Sequence, residues 1–291
     1  MITRRRMVQG GALAGLALMT GQARAAAGVG TLGAKLAAIE ADSGGRLGVA
    51  VLDMANGARC GHRADERFPM CSTFKLLAAG AILTRVDEGR DRLDRHIRFK
   101  ASDLVAYSPI TKPHVGGTGM SLGELCAAAI AYSDNTAANL LLATLGGPTA
   151  VTAFARTLGD RATRLDRNEP TLNESVPGDP RDTTTPAAML GDLRRLSLGD
   201  ALTPGSRDQL IRWLQANTTG NDRVRGGLPP GWRVGDKTGT GSHGSTNDVC
   251  LIWPPDRAPL LVSVYLTQTE APAEHRDATL AAVGRAVAEV V

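Results

Sequence analysis

The sequence predicts an α/β fold of the α+β kind. A five-stranded antiparallel sheet is flanked by helices, and an all-helical domain is inserted between its first two strands and its last three. Three observations predict it. Strand-like apolar runs occur at 46–52 and 58–63, and again at 232–237, 247–253 and 260–267. Segments of helical spacing fill the middle of the chain. Within that middle, 160–186 carries Pro170, Pro177, Pro180 and Pro186 among polar residues with no period, a long loop of the kind that is functional or disordered. The boundaries that follow are 26–68 with 218–291 for a discontinuous sheet domain. The helical domain is 69–217, including a loop at 164–182, and the cleft between the two is the place for a site.

The elements follow in order. Apolar residues at 32, 36 and 39 give a helix over 31–41. The run Arg46–Leu52 is a strand, Asn56-Gly57 is a hairpin signal, and 58–63 returns. Helical patterns cover 72–85, 122–131 and 136–145, the last ended by Gly146-Gly147. Helices resume at 187–196 and 204–217, three strands follow, and a helix closes the chain from about 274.

Length and composition exclude several classes. At 291 residues the chain can bury a full core without staples, as one large domain or two small ones. With 43% hydrophobic and 21% charged residues, it is neither disordered nor fibrous. Aromatics are 3%, so Ala, Leu and Val must fill the core. The formal charge of +4 points towards nucleic acid or an anionic membrane only superficially. Arg4, Arg5, Arg6 and Arg24 lie in the first 25 residues, which hold no acid, and the remainder has 29 basic and 29 acidic residues. We therefore expect neither nucleic acid nor membrane as a partner of the mature chain.

Residues 1–25 read as an export signal. An Arg run behind Thr3 precedes a short Gly-rich apolar stretch and Ala23-Arg24-Ala25, a small-x-small cleavage pattern. The Arg pair resembles a twin-arginine signal, which places the protein in the periplasm or outside the cell. The four cysteines, Cys60, Cys71, Cys126 and Cys250, are widely spaced. Cargo folded in a reducing cytoplasm suggests buried thiols, and one structural bridge is the alternative.

Four short motifs could carry chemistry. Ser72-Thr-Phe-Lys75 places an amine one helical turn from a hydroxyl, and a Ser nucleophile needs a base nearby. Ser133-Asp134-Asn135 can present a hydroxyl and an amide on one side of a turn, although Asp134 could equally be a helix cap. Lys237-Thr238-Gly239-Thr240 ends a predicted strand. Its Lys and Thr suit a carboxylate, and its glycine lets a ligand approach the backbone. Glu169-Pro-Thr-Leu-Asn173, in the long loop, sets a carboxylate and an amide where they could hold one water. S-x-x-K alone arises by chance in roughly one such chain in five, but the first three motifs together at about 10⁻⁴.

In combination these motifs resemble the class A serine β-lactamases, of the β-lactamase/transpeptidase-like fold. The resemblance extends over Leu104–Pro109, Ser133–Leu142, Arg181–Pro186 and Thr246–Asp248, in the family's order from about residue 30 to the end. It implies that Ser72 attacks the lactam carbonyl, that Lys75 helps activate it, and that Ser133 passes a proton to the lactam nitrogen. Glu169, through a water also held by Asn173, would drive deacylation; whether Lys75 or Glu169 is the acylation base stays open. Asn135 would bind the acylamino side chain. Lys237, Thr238, Gly239, Thr240 and Arg223 would hold the substrate carboxylate, a surface role for Arg223 being the alternative. The N–H groups of Ser72 and Thr240 would form the oxyanion hole. Tyr107 resembles the aromatic at the cleft mouth, and Arg167 with Asp182 the ion pair that closes the loop. Asp134, Asp248 and Cys71 fall in structural positions near the site, and the bond into Pro170 is expected to be cis.

The resemblance implies hydrolysis of penicillins and cephalosporins, antibiotic resistance, a monomer, and no metal or cofactor. The disulfide partner of Cys126 in some relatives falls on Ala79, and that of Cys71 in carbapenem-hydrolysing relatives on Gly241, so neither bridge is expected. A D-Ala-D-Ala peptidase shares three motifs but not the Glu169–Asn173 pair. A β-lactam sensor would carry a membrane tether. A zinc enzyme is disfavoured because His62, His96, His114, His243 and His275 form no ligand pattern.

Overall fold

The structure, a computed structural model, describes residues 31–290. The export signal therefore lies outside the described residues. A helix α1 occupies 31–43. Strands β1 (Arg46–Asp53) and β2 (Arg59–His62) form the N-terminal hairpin, and β3 (Arg233–Thr240), β4 (Thr246–Trp253) and β5 (Leu260–Thr267) come from the C-terminal end. They make one antiparallel sheet in the order β2-β1-β5-β4-β3. β1 pairs with β5 along its whole length, from Arg46 opposite Thr267 to Asp53 opposite Leu260. The two ends of the chain are thus held by a single central ladder, as the strand distribution predicts.

The central strands are buried on both faces, which is why they read as continuous apolar runs rather than alternating ones. Leu47, Val49 and Val51 point to one face, where α1 and the closing helix α8 (Ala273–Ala288) cover them. Ala50 and Leu52 point to the other, into a larger core shared with the inserted helices α2 (Phe74–Asp87), α3 (Leu122–Ala131), α4 (Asn135–Leu145), α5 (Pro148–Thr157), α6 (Pro186–Ser197) and α7 (Pro204–Gln215). α2 is buried from Phe74 through Leu83, an apolar rod through the centre of that core. Among the described residues no single helix is long and apolar enough to cross a membrane.

The structure departs from the sequence-based expectations in four places. Helix α5 is absent from the predicted order. Its Ala- and Thr-rich stretch has only Val151 and Phe154 as larger apolar residues, but Pro148 at its first turn after Gly147 is the start signal. Ser72 lies in a 3₁₀ turn (Cys71–Thr73) ahead of α2, not inside an α-helix. The motif at 237–240 ends a strand as predicted, but that strand runs past residue 237, so the motif is the last half of β3, paired with β4 to Thr240 opposite Thr246. Finally, Cys60 on β2 is only partly buried, whereas Cys71, Cys126 and Cys250 are fully buried thiols. A two-residue ladder of Phe68–Pro69 with Thr183–Thr184 also ties the exit of the long loop to the segment before Ser72.

Close backbone approach fixes α8 against the 3₁₀ turn at Val224–Gly227. A Cβ on Gly284 would stand 2.3 Å from the Val224 carbonyl oxygen. Alanine favours a helix interior over glycine by about 1 kcal/mol. Forcing α8 off the turn costs about 1–3 kcal/mol by overpacking. We expect Gly284→Ala to lower the urea midpoint despite its better helix propensity; a raised midpoint would show that α8 is free to shift.

Candidate active site

The turn that carries Ser72 is pinned from two sides. The Asn247 side chain on β4 donates to the carbonyls of Pro69 (2.9 Å) and Met70 (3.1 Å), and the Thr73 hydroxyl donates to Met70 O (2.8 Å). Cys71 sits at φ 46°, a left-handed conformation that costs a non-glycine residue energy and marks an over-determined site. Tyr107 (φ 61°), Ser133 (φ 57°) and Asp182 (φ 56°) share that conformation. Gly239 lets the edge strand close on the turn, since a Cβ there would meet Met70 O at 2.8 Å.

Ser72 and Lys75 meet as the motif predicts. The Lys75 ammonium donates to Ser72 Oγ (3.0 Å), Asn135 Oδ1 (2.7 Å) and the Ser133 carbonyl (2.8 Å), with Ser133 Oγ at 3.3 Å. Glu169 Oε1 lies 3.1 Å from Lys75 Nζ and accepts from Ser72 Oγ, also at 3.1 Å. Burial pulls the Lys75 ammonium below the usual lysine range, and the Glu169 carboxylate resists that pull.

Ser133-Asp134-Asn135 does both jobs that its sequence allows. Asp134 is the N-cap of α4, accepting from Ala137 N (2.8 Å), and its carboxylate also gathers Ile110 N, Thr111 N and the Thr111 hydroxyl. Anchored in this way, Asp134 sets Ser133 and Asn135 towards the cleft. The Asn135 amide donates to Ala106 O (2.9 Å), which fixes its oxygen on Lys75.

Glu169 is positioned by α4. The Asn139 side chain accepts from Glu169 N (2.9 Å) and donates to Glu169 O (2.9 Å). Asn139 lies one helical turn beyond Asn135, so a single helix face serves both Lys75 and Glu169. Asn173 donates directly to Glu169 Oε2 at 2.5 Å, and the Glu169–Pro170 bond is cis. Arg167 pairs with Asp182 at 2.6 Å, while Asp182 Oδ1 accepts from the N–H groups of Asp166 and Arg167.

The opposite wall is β3. Lys237 donates to Ser133 Oγ (3.1 Å) and Thr238 O (2.9 Å), and burial together with the nearby Lys75 charge pulls it well below the usual lysine range. Arg223 is buried, not on the surface. It donates to Gly239 O (2.9 Å), Asn247 O (2.8 Å) and the Thr240 hydroxyl (2.8 Å), and pairs with Asp277 of α8 at 3.0 Å. Thr219 meets Thr238 hydroxyl to hydroxyl at 2.5 Å. Beneath the strand, burial and the adjacent Asp236 push the Asp248 carboxyl well up, and Asn217 and Arg225 bond Asp236.

One cavity of about 420 Å³ lies between these walls, lined by Ser72, Ser133 and Asn135 and by Arg223 and Thr238–Thr240. Tyr107, 60% exposed, stands at its mouth. Cys71 lies under the floor against Ser175 Oγ (3.4 Å), its thiol pushed up to about 12 by burial. Asn139, Asp277 and Thr219 are the site residues that sequence reasoning missed. Among the described residues no three His, Cys, Asp or Glu side chains group as metal ligands.

The comparisons with known proteins agree with this geometry. The profile of the "Beta-lactamase enzyme family" matches residues 31–291. The chain is 56% identical over 255 residues to β-lactamase CTX-M-8 of Citrobacter amalonaticus, covering 88% of this chain and 87% of that one. It is 51% identical over 255 residues to β-lactamase OXY-2 of Klebsiella oxytoca, covering 88% of each. Its structure matches the ancestral GNCA class A β-lactamase with a TM-score of 0.88 and 64% identity, over 89% of this chain and 100% of that one. With the family profile spanning all the described residues and relatives above half identity, the chain belongs to the class A serine β-lactamase family.

Proposed function

We propose that the chain hydrolyses the β-lactam amide bond of penicillins and cephalosporins through a Ser72 acyl-enzyme, and so confers resistance to them. The observation that carries this reading is the triangle of Ser72 Oγ, Lys75 Nζ and Glu169 Oε1, with sides of 3.0–3.1 Å. The site lies in the cleft between the discontinuous sheet domain (26–68 and 218–291) and the helical domain (69–217).

Each step has a residue within reach. The Ser72 proton can pass to Glu169 or to Lys75, both in hydrogen-bond contact with its oxygen. The lactam carbonyl enters between Ser72 and Thr240, whose N–H groups stabilise the oxyanion; one such donor is worth about 3–4 kcal/mol. As the C–N bond breaks, the nitrogen takes the Ser133 hydroxyl proton, and Lys75 and Lys237 on either side of that oxygen resupply it. Asn135 recognises the acylamino side chain. Lys237, Thr238, Thr240 and Arg223 hold the substrate carboxylate, and an anion here favours the charged form of the two desolvated lysines. Glu169, steadied by Asn173, then draws a proton from the water that attacks the ester, releasing Ser72 and product. The Glu169–Asn173 contact favours this hydrolytic reading over a peptidase or a sensor.

The chain is proposed to act as an exported monomer, delivered to the periplasm by the twin-arginine route. Arg4, Arg5 and Arg6 near its start support that route.

Intact mass sampled over time with benzylpenicillin tests the mechanism. The native enzyme should consume drug with little lasting adduct. Glu169→Ala should hold a near-stoichiometric adduct, and Ser72→Ala none. Normal turnover by Glu169→Ala would remove it from deacylation, and a persistent adduct on the native chain would favour the sensor or peptidase.

Arg223 owes its orientation to Asp277. Asp277→Ala should raise KM for penicillins about fivefold with kcat little changed, the loss of roughly 1 kcal/mol of carboxylate binding. A fall in kcat with constant KM would show instead that Asp277 shapes the oxyanion side of β3.

A further inference from the structure

Two buried carboxylates outside the active site each leave one oxygen without a donor. Asp160, in the segment between α5 and the long loop, and Asp192, on α6, are 7% and 1% exposed. Asp160 Oδ1 is occupied: it accepts from Ala162 N (2.6 Å) and Thr163 N (3.0 Å), the turn that opens the loop. The Oδ2 atoms of both residues are buried without a partner, and the two side chains lie within hydrogen-bonding reach of each other. Ionised carboxylates only accept, so two facing acceptors buried together require a proton between them.

We propose that Asp160 and Asp192 form a carboxylic acid–carboxylate pair that shares one proton between their Oδ2 atoms, and that this pair positions Glu169 by clamping the neck of its loop to α6. This rests on the deacylation role proposed above for Glu169. The proton sits on Asp192, because Asp160 Oδ1 already neutralises part of its charge with two backbone N–H groups. Burial and the Asp160 carboxylate push the Asp192 carboxyl up to about 9, while Arg156 of α5 and Arg195 of α6 pull it the other way. From Asp160 the clamp runs directly into the neck. Thr163 and Thr184 meet hydroxyl to hydroxyl at 2.6 Å, and Arg164 N donates to Thr183 O (2.9 Å). The Asp182 carboxylate then receives the backbone of Asp166 and Arg167, two residues before Glu169. α6 packs against β1 and β5, so the proton joins the loop to the sheet.

The linkage has a definite sign. The folded carboxyl titrates about 9 and the unfolded one near 4, so between those values the folded state holds one more proton. The pair's contribution to stability is complete below about pH 4, falls as pH rises, and is gone above about pH 9; in that interval it shifts the unfolding constant tenfold per pH unit. Asparagine at 192 would donate the same hydrogen bond from its amide with no proton to lose.

The test compares the native enzyme, Asp192→Asn and Asp192→Ala from pH 6 to 10. The readouts are thermal midpoint, kcat and KM with benzylpenicillin, and the infrared carboxylic-acid C=O band at pH 7. We expect that band in the native protein and the loss of one component of it in Asp192→Asn, the buried Asp248 carboxyl supplying what remains. Asp192→Asn should melt above the native enzyme by a margin that widens up to about pH 9. The native kcat should fall through about pH 9 with KM steady, Asp192→Asn should remove that fall, and Asp192→Ala should lower kcat at every pH. An acid band identical in the native protein and Asp192→Asn, or a constant margin, would overturn the shared proton. A native kcat profile unchanged in Asp192→Asn, with the band and margin as expected, would overturn the positioning role alone. A Glu169→Ala variant that still deacylates would instead remove the reading on which it rests.

Discussion

The site is organised around one buried ammonium. Lys75 is fully enclosed, and a lysine charge is tolerated there only because oxygen acceptors surround it. Those acceptors come from four parts of the chain: the turn before α2, the left-handed Ser133, the first residue of α4, and the long loop. Satisfying the lysine therefore brings together the residues that the chemistry needs. Ser72, Ser133, Asn135 and Glu169 are each within 3.3 Å of the same nitrogen. Removing any one leaves a desolvated charge short of a partner, so stability and chemistry draw on the same contacts.

The opposite wall follows a similar logic with another charge. Lys237 and Arg223 add two buried cations within reach of Lys75's field, and β3 offers them little in return except carbonyls and hydroxyls. Asp236 beneath the strand and Asp277 behind Arg223 partly compensate. Arg223 lines the cavity, where its charge favours an anionic ligand. Hence residues 26–291, with 29 basic and 29 acidic side chains, still gather three basic side chains around one cleft.

Much of this was legible in the sequence, and the reasons differ by residue. Ser72, Lys75, Ser133, Asn135 and Lys237 are read because their chemistry demands those side chains at short, fixed spacings. The five strands are read because a sheet buried on both faces leaves unbroken apolar runs. Asn139 and Asp277 were not read, because each is one polar residue on a helix whose partner is distant in sequence. Only the folded chain shows that Asn139 shares a face with Asn135. Helix α5 escaped because it is short, with only Val151 and Phe154 as larger apolar residues, and the strand was ended at 237, three residues early, because glycine and polar residues are poor strand formers. Pairing along β4 overrides that local preference.

The long loop shows how a segment without periodicity becomes a rigid part. Residues 160–182 offer little apolar surface, so burial alone cannot order them; Leu165 and Leu172 are the core residues they supply. Order comes instead from polar groups that the loop folds around itself. Asp182 gathers two backbone N–H groups and Arg167, Asp160 caps the opening turn, and Asn139 holds Glu169 from outside. A network of this kind is cooperative, since each carboxylate fixes the backbone that the next one binds. It is also directional in a way that hydrophobic packing is not, and a general base needs direction: a carboxylate turned away from the ester cannot take a proton from the attacking water. An apolar loop of equal stability would hold Glu169 in place but would not aim it.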